Sequence, residues 1–206
     1  MSIVKYNNNS LSDVTSGASL SSGAMTHIKT LTASSSATLS FVHGSSDVVL
    51  DSTYPIYKFE FINIHPSASD GRFLFNLSID GGSNYNVTKT TSVFRAYHDE
   101  GDSATALQYN GARDLAQSTS DQPIMPTTGN LNDECGAGTF HLFNPSSTTF
   151  VKHFICRTNV YEPDDDFTVQ YFTAGYGNTT SAINAVRFQM DSGNIDAGDI
   201  CLYGIA

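Results

Sequence analysis

The chain has 206 residues and a formal net charge of −10, with 10 Lys and Arg against 20 Asp and Glu. This length is enough for one large domain with its own core. The acidic balance argues against binding to nucleic acid or to anionic membrane surfaces, because both need basic patches.

Residues 1–24 are dominated by Ser, Asn and Gly and predict an extended N-terminal arm that cannot form its own core. We expect the arm to be an assembly handle that binds a neighbouring subunit. The alternative is that it packs along its own β domain. The residues expected to make these contacts are Lys5, Tyr6, Leu11, Val14 and Leu20.

Residues 25–206 are predicted to form a single β domain whose first strand begins near Met25. Residues 37–43 and 56–64 are β-prone, and residues 72–80 alternate most clearly between apolar and polar side chains. A turn is predicted at residues 80–84, which read Asp-Gly-Gly-Ser-Asn, and residues 85–88 are expected to begin the returning strand.

Residues 98–137 predict a long polar loop, because Gly, Asp, Ser, Thr and Gln dominate there. The apolar pair Ile124 and Met125 is flanked by Pro123 and Pro126. A long irregular segment in a compact domain is typically functional or disordered. We expect this loop to be exposed and to contact a partner or host. Strand patterns resume in residues 138–143, 150–156 and 167–172.

The last segment, residues 183–206, predicts a β-hairpin, since two apolar runs flank a connection rich in Asp, Asn and Gly. Many short strands bounded by turn residues, with no convincing helix, predict an all-β fold. The expected architecture is an antiparallel β-sandwich that is jelly-roll-like. The predicted core residues are Phe59, Phe61, Phe73, Phe75, Leu77, Val186, Phe188 and Leu202.

Catalytic chemistry has little support in the sequence. Cys135, Cys156 and Cys201 do not form a disulfide framework, and we expect reduced thiols in a cytoplasmic product. Cys135 and His141 are six residues apart, but spacing alone provides neither a base nor a lowered thiol pKa. The six histidines are scattered without the spacing of a zinc site. We expect no enzymatic activity, no catalytic residues and no membrane insertion.

Two acidic clusters are candidates for a structural calcium site. Asp164, Asp165 and Asp166 form one, and Asp99 and Asp102 belong to the other. Calcium prefers crowded carboxylate oxygens in loops. The alternative is a pair of solvated acidic turns. Exposed tyrosines could stack on sugars, so carbohydrate binding also stays open, although the chain has no Trp.

Several segments resemble structural proteins of marine bacteriophages, of cyanophage and pelagiphage type. They are residues 59–66, 77–85, 142–147, 151–155 and, most specifically, 181–205. The resemblance covers most of residues 48–206 and leaves out the arm. It implies a non-enzymatic virion component, tail-fibre-like or capsid-decorating, made in the host bacterial cytoplasm. The implied partners are other virion proteins and further copies of the chain, a trimer by analogy. A module recognising a host-surface glycan is the alternative.

Overall fold

The structure is a computed structural model that describes residues 24–162 and 166–206. Every regular element in this part of the chain is a β-strand. The strands are β1 (Met25–Thr32), β2 (Thr38–Val42), β3 (Ile56–Pro66), β4 (Gly71–Ser78), β5 (Lys89–Asp99), β6 (Thr105–Tyr109), β7 (Gln122–Thr128), β8 (Gly136–Phe143), β9 (Lys152–Glu162), β10 (Phe167–Gly177), β11 (Ala185–Met190) and β12 (Ile195–Ile205).

The strands form two antiparallel sheets of unequal width. The larger sheet has eight strands in the order β1-β12-β3-β8-β9-β10-β5-β6, and the smaller has four in the order β2-β11-β4-β7. Their inner faces share one hydrophobic core. The prediction of an all-β sandwich is therefore confirmed.

In the central strands, apolar and polar side chains alternate along the sequence, and the alternating apolar side chains point into the sandwich. In β3, Tyr57, Phe59 and Phe61 are buried, while Lys58 and Glu60 between them are only partly buried and form an ion pair at 2.6 Å on the opposite face. Successive side chains of a strand point to opposite faces, so the apolar set lies between the sheets. All eight predicted core residues are buried.

Phe188 on β11 is the centre of an aromatic cluster that joins the two sheets. Its ring lies 5.4 Å from the Phe59 ring and 5.2 Å from the Phe61 ring, both on the opposite sheet. It stacks on Phe73 of the neighbouring strand at 5.7 Å. Offset and edge-to-face aromatic pairs stabilise a core beyond the area that they bury.

The predicted terminal hairpin is wrong. β11 pairs with β2 and β4 in the smaller sheet, whereas β12 pairs with β1 and β3 in the larger one. The connection at residues 191–194 therefore crosses from one sheet to the other. A local apolar pattern identifies two strands, but it does not specify which strands they pair with.

The expectation of a long irregular loop at residues 98–137 is also wrong. This segment contains β6 and β7, and the Ile124 and Met125 side chains of β7 are fully buried. β7 is an edge strand of the smaller sheet. An edge strand tolerates Pro123 and Pro126, since a missing N–H can face away from the ladder.

The turn predicted after β4 forms, but the returning strand begins later than expected. Gly81 and Gly82 adopt φ angles of 71° and 82°, which glycine reaches without steric cost. The Asp80 carboxylate accepts hydrogen bonds from the Asn84 backbone at 2.9 Å and from its side-chain amide at 2.7 Å. β5 then starts only at Lys89, so residues 85–88 are not a strand.

Candidate functional site

The extra width of the larger sheet creates a broad surface on β9, β10, β5 and β6. The inner side of this surface is covered by β7 and by residues 110–121. The backbone of residues 110–121 forms hydrogen bonds with the backbones of Thr91 and Lys89. The outer side of the surface carries exposed or partly exposed apolar side chains, which we call the aromatic face. These residues are Phe94, Leu107, Tyr109, Ile155, Phe172 and Tyr176, together with Phe143 at the end of the neighbouring strand β8.

Cross-strand pairing brings the rings of the aromatic face together. Phe94 of β5 pairs with Phe172 of β10, and the two rings stack at 4.6 Å with an angle of 8° between their planes. The Arg157 guanidinium lies 5.4 Å from the centre of the Phe172 ring. It also donates to the Gln170 amide oxygen at 2.7 Å in the amide orientation that satisfies both groups. Arg157 is thus held within cation–π distance of an aromatic ring on an accessible surface.

The edge of the aromatic face on β6 is the most exposed part. Leu107 is 72% exposed and Tyr109 is 60% exposed. Tyr109 donates a short hydrogen bond of 2.5 Å to Asp114, which fixes its ring and raises the pKa of its hydroxyl. A fixed aromatic ring loses little conformational entropy on contact with a partner.

A groove of about 530 Å³ opens on the same outer side of the sheet, near the C-terminal end of β10. Phe143, Ile155 and Tyr176 supply its apolar walls, and Thr90 and Ser92 supply hydroxyl groups. The His153 ring lies 6.0 Å from the Tyr176 ring. The groove can therefore accept a ligand with one apolar surface and several hydroxyl groups.

A second cavity, of about 440 Å³, is lined by Cys135, His65 and Asp196 among other residues. His65 Nε2 lies 3.1 Å from the Leu131 carbonyl oxygen, and Nδ1 lies 3.8 Å from an Asp196 carboxylate oxygen. Both ring nitrogens are directed at oxygen atoms, which is not the arrangement of an imidazole that activates a thiol.

The structure separates Cys135 from His141, the partner that the sequence offered. Cys135 directly precedes β8, whereas His141 lies near the end of that strand, in register with Lys58 of β3. Burial and the positive charge of Lys58 lower the pKa of His141. Cys156 and Cys201 are buried, and all three cysteines are free thiols.

The acidic turns, residues 99–102 and Asp166, lie at one end of the larger sheet. The Glu100 N–H donates to the Asp166 carbonyl oxygen at 3.1 Å, so the structure brings the two predicted clusters together. Asp164 and Asp165 lie outside the described residues. Within residues 24–162 and 166–206, no group of three or more acidic, His or Cys side chains could hold a metal ion.

Each described aspartate of the acidic turns has a local partner. Asp99 accepts hydrogen bonds from the Ser103 and Ala104 backbones at 2.9 and 2.7 Å, and its pKa is lowered by the Ser103 hydroxyl and by these N–H groups. Asp102 lies 3.1 Å from His98. Asp166 accepts from the Tyr161 hydroxyl at 2.8 Å and raises the Tyr161 pKa to about 12. These contacts are those of turn residues.

The five arm residues Lys5, Tyr6, Leu11, Val14 and Leu20 lie outside the described part of the chain. The sequence did not single out the aromatic face. The sequence feature that could have indicated it is a strand with apolar residues on both faces. Tyr171 and Phe172 are an example, because the Tyr171 ring is buried and the Phe172 ring is partly exposed.

Comparison with protein-family models, with curated proteins and with solved structures finds no match to this chain. In the part of the chain that the structure describes, no helix is long and apolar enough to span a membrane. The geometry of the surfaces is therefore the basis for a functional proposal.

Proposed function

We propose that this chain is a non-enzymatic structural protein of a bacteriophage particle, exposed on its surface as a tail-fibre-like or capsid-decorating component. The aromatic face carries the proposal, since it presents stacked rings and a fixed tyrosine on an accessible, rigid sheet. Contiguous exposed apolar surfaces of this kind are typical of protein contacts. The segment resemblance to marine phage structural proteins supports the same assignment.

We infer that the sandwich is a jelly roll widened by two inserted hairpins. Without β5, β6, β9 and β10, the sheets read β1-β12-β3-β8 and β2-β11-β4-β7. In this set the first strand lies beside the last, and each connection crosses between the sheets except that from β4 to its neighbour β7. Two interlocked Greek keys have this order, and jelly rolls are common in viral capsids and lectins.

The partners that we propose are other virion proteins and further copies of this chain, with a trimer as the working hypothesis. Free thiols throughout support synthesis in a reducing bacterial cytoplasm before assembly into particles. Aromatic residues and arginine, which the aromatic face combines, are enriched in the centres of protein interfaces.

Analysis of purified particles tests this proposal. We expect mass spectrometry to find the chain in density-purified particles, and an electron-microscopy map to locate it on their surface. Leu107→Asp with Tyr109→Ala should lower its occupancy on particles. Ile62→Asp is the matched control, since Ile62 is an exposed apolar residue of the same sheet, on β3. A chain that is abundant in infected cells but absent from particles would refute the assignment.

Recognition of a host-surface glycan is the second candidate. It is favoured by the groove beside Tyr176, where aromatic walls and the hydroxyls of Thr90 and Ser92 suit a sugar ring. Calorimetry with purified host polysaccharide should show binding that Tyr176→Ala removes. Tyr203→Ala, a substitution on the distant strand β12, should bind like the parent protein. Equal binding by both variants would exclude the groove.

A further inference from the structure

Lys89, the first residue of β5, is a charged residue with no exposed surface. The whole residue is buried, and Nζ donates to Asn76 Oδ1 at 2.6 Å and to the Val87 carbonyl at 2.9 Å. The backbone of Lys89 is fixed by two hydrogen bonds to Ser118. The amine is therefore held against the side-chain carboxamide of Asn76, which is itself 1% exposed.

The surroundings of Lys89 increase the fraction of its amine that is neutral. The pKa of Lys89 is lowered to about 8, mainly by burial; the Asp121 carboxylate opposes this shift and the Arg187 guanidinium adds to it. Asp121 is itself paired with Arg187 at 3.1 Å. A lysine with this pKa has roughly a tenth of its amine unprotonated at neutral pH, and only the unprotonated amine is a nucleophile.

The Asn76 carboxamide is fixed and polarised. Oδ1 accepts a second hydrogen bond, from the Leu77 backbone N–H at 2.9 Å, and Nδ2 donates to the Thr119 carbonyl at 3.0 Å. A backbone N–H directed at a carbonyl oxygen stabilises the negative charge that develops there when the carbon is attacked. Holding both reacting groups in place in a buried site removes much of the entropic barrier.

We propose that Lys89 and Asn76 join in an intramolecular isopeptide bond as the protein folds. The lone pair of Nζ attacks Asn76 Cγ, and Oδ1 carries the charge of the tetrahedral intermediate. The Cγ–Nδ2 bond then breaks, a proton from Nζ passes to the departing nitrogen, and one ammonia molecule leaves. No oxidant, metal or other reactant is consumed.

The bond would fasten the two sheets to each other. Asn76 lies on β4 of the smaller sheet and Lys89 on β5 of the larger one. The ladder between β4 and β7 ends at the pair of Phe75 and Gln122, so β7 provides no partner for Asn76. The link would close the connection between two residues that are 13 positions apart.

Lys152 provides an internal comparison. It is also fully buried, and it lies opposite Lys89 across Gly177 of β10. Its Nζ donates to the backbone carbonyls of Phe150 and Thr179 at 2.6 and 3.3 Å. Peptide carbonyls in a folded chain do not release ammonia, so Lys152 should stay unmodified.

Intact-mass spectrometry of the purified full chain tests the bond. We expect the mass to be lower than that of the sequence by one ammonia molecule. Asn76→Ala and Lys89→Met should each have the full mass of their own sequences. Trypsin digestion of denatured protein should cleave after Lys152 but not after Lys89, and should release a branched peptide joining the segments around residues 76 and 89.

Three results would overturn the proposal. The first is a folded parent protein with the full mass of its sequence, because the Lys89–Asn76 bond is then absent. Cleavage after Lys89 shows a free amine. Loss of ammonia confined to a linear peptide shows cyclisation of an asparagine instead. Because the parent protein alone decides among these outcomes, the test holds even where the Asn76 or Lys89 variant fails to fold.

Discussion

Replacement of Phe188 by alanine should be one of the most destabilising single changes in the core. Phe188 is fully buried, and its ring contacts the rings of Phe59, Phe61 and Phe73. Truncation of a buried Phe costs about 3–5 kcal/mol, and each aromatic pair adds roughly 0.5–1.5 kcal/mol to what burial alone contributes. With several rings losing a neighbour, we expect a loss of about 5 kcal/mol in the free energy of unfolding.

Equilibrium urea denaturation, followed by tyrosine fluorescence and circular dichroism, measures this loss. A change of about 5 kcal/mol is comparable with the whole stability of some domains, so Phe188→Leu should be measured beside it, with an expected loss of roughly 1–3 kcal/mol. Phe150→Ala is the control, because Phe150 is 70% exposed and the change should stay within about 0.5 kcal/mol. If Phe188→Ala costs no more than Phe150→Ala, the cluster does not join the sheets.

Four further predictions follow from the structure. In native protein a thiol reagent should label Cys135 before Cys156, whose burial raises its pKa, and all three thiols should react after denaturation; failure of any thiol to react then would contradict free cysteines. The folded-state pKa of Asp80 is lowered to about 2 from 3.8, so its stabilising effect is complete above 3.8 and is lost as the pH falls through about 2. As the pH falls from 3.8 to about 2, the melting temperature of Asp80→Ala should therefore decrease less than that of the parent protein. Equal decreases in the two proteins would refute a stabilising role of the ionised Asp80 in the turn. Deletion of residues 2–24 should leave the melting temperature nearly unchanged but abolish joining to the particle or oligomer; a large loss of stability with assembly intact would place the arm in the fold. A calcium site in the acidic turns predicts a melting temperature that falls on chelation, and an unchanged value against a calcium-loaded control would leave them as solvated turns.

The sequence predicted those strands whose two faces differ in polarity. Alternation in residues 72–80 identified the inward side of β4, and all of the predicted core residues are buried. β7 was missed because Pro123 and Pro126 break its pattern and Gln122, a polar residue, is buried at its start, where its amide bonds to Thr91 and Arg113. Propensity cannot register a hydrogen bond to a residue far along the chain.

The candidate site was less accessible to sequence reasoning than the fold. Phe94 and Phe172 are on strands with apolar residues on both faces, so the pattern does not show which side is solvent-exposed. Their stacking depends on the register of β5 against β10, which pairs Phe94 with Phe172, 78 positions further along the chain (172 − 94). The same limit explains the false hairpin, because the partners of β11 and β12 come from the beginning of the domain.

The pairing of the first strand with the last has a kinetic consequence. β12 lies between β1 and β3, and Met25 is in register with Ile205. During synthesis neither β1 nor this edge of β3 can pair with its partner until β12, the last strand of the domain, has left the ribosome. Topologies dominated by such distant pairings fold in milliseconds to seconds, more slowly than helical bundles. Until then Phe59 and Phe61 are not fully packed, and a nascent chain in this state exposes apolar surface that a chaperone would bind.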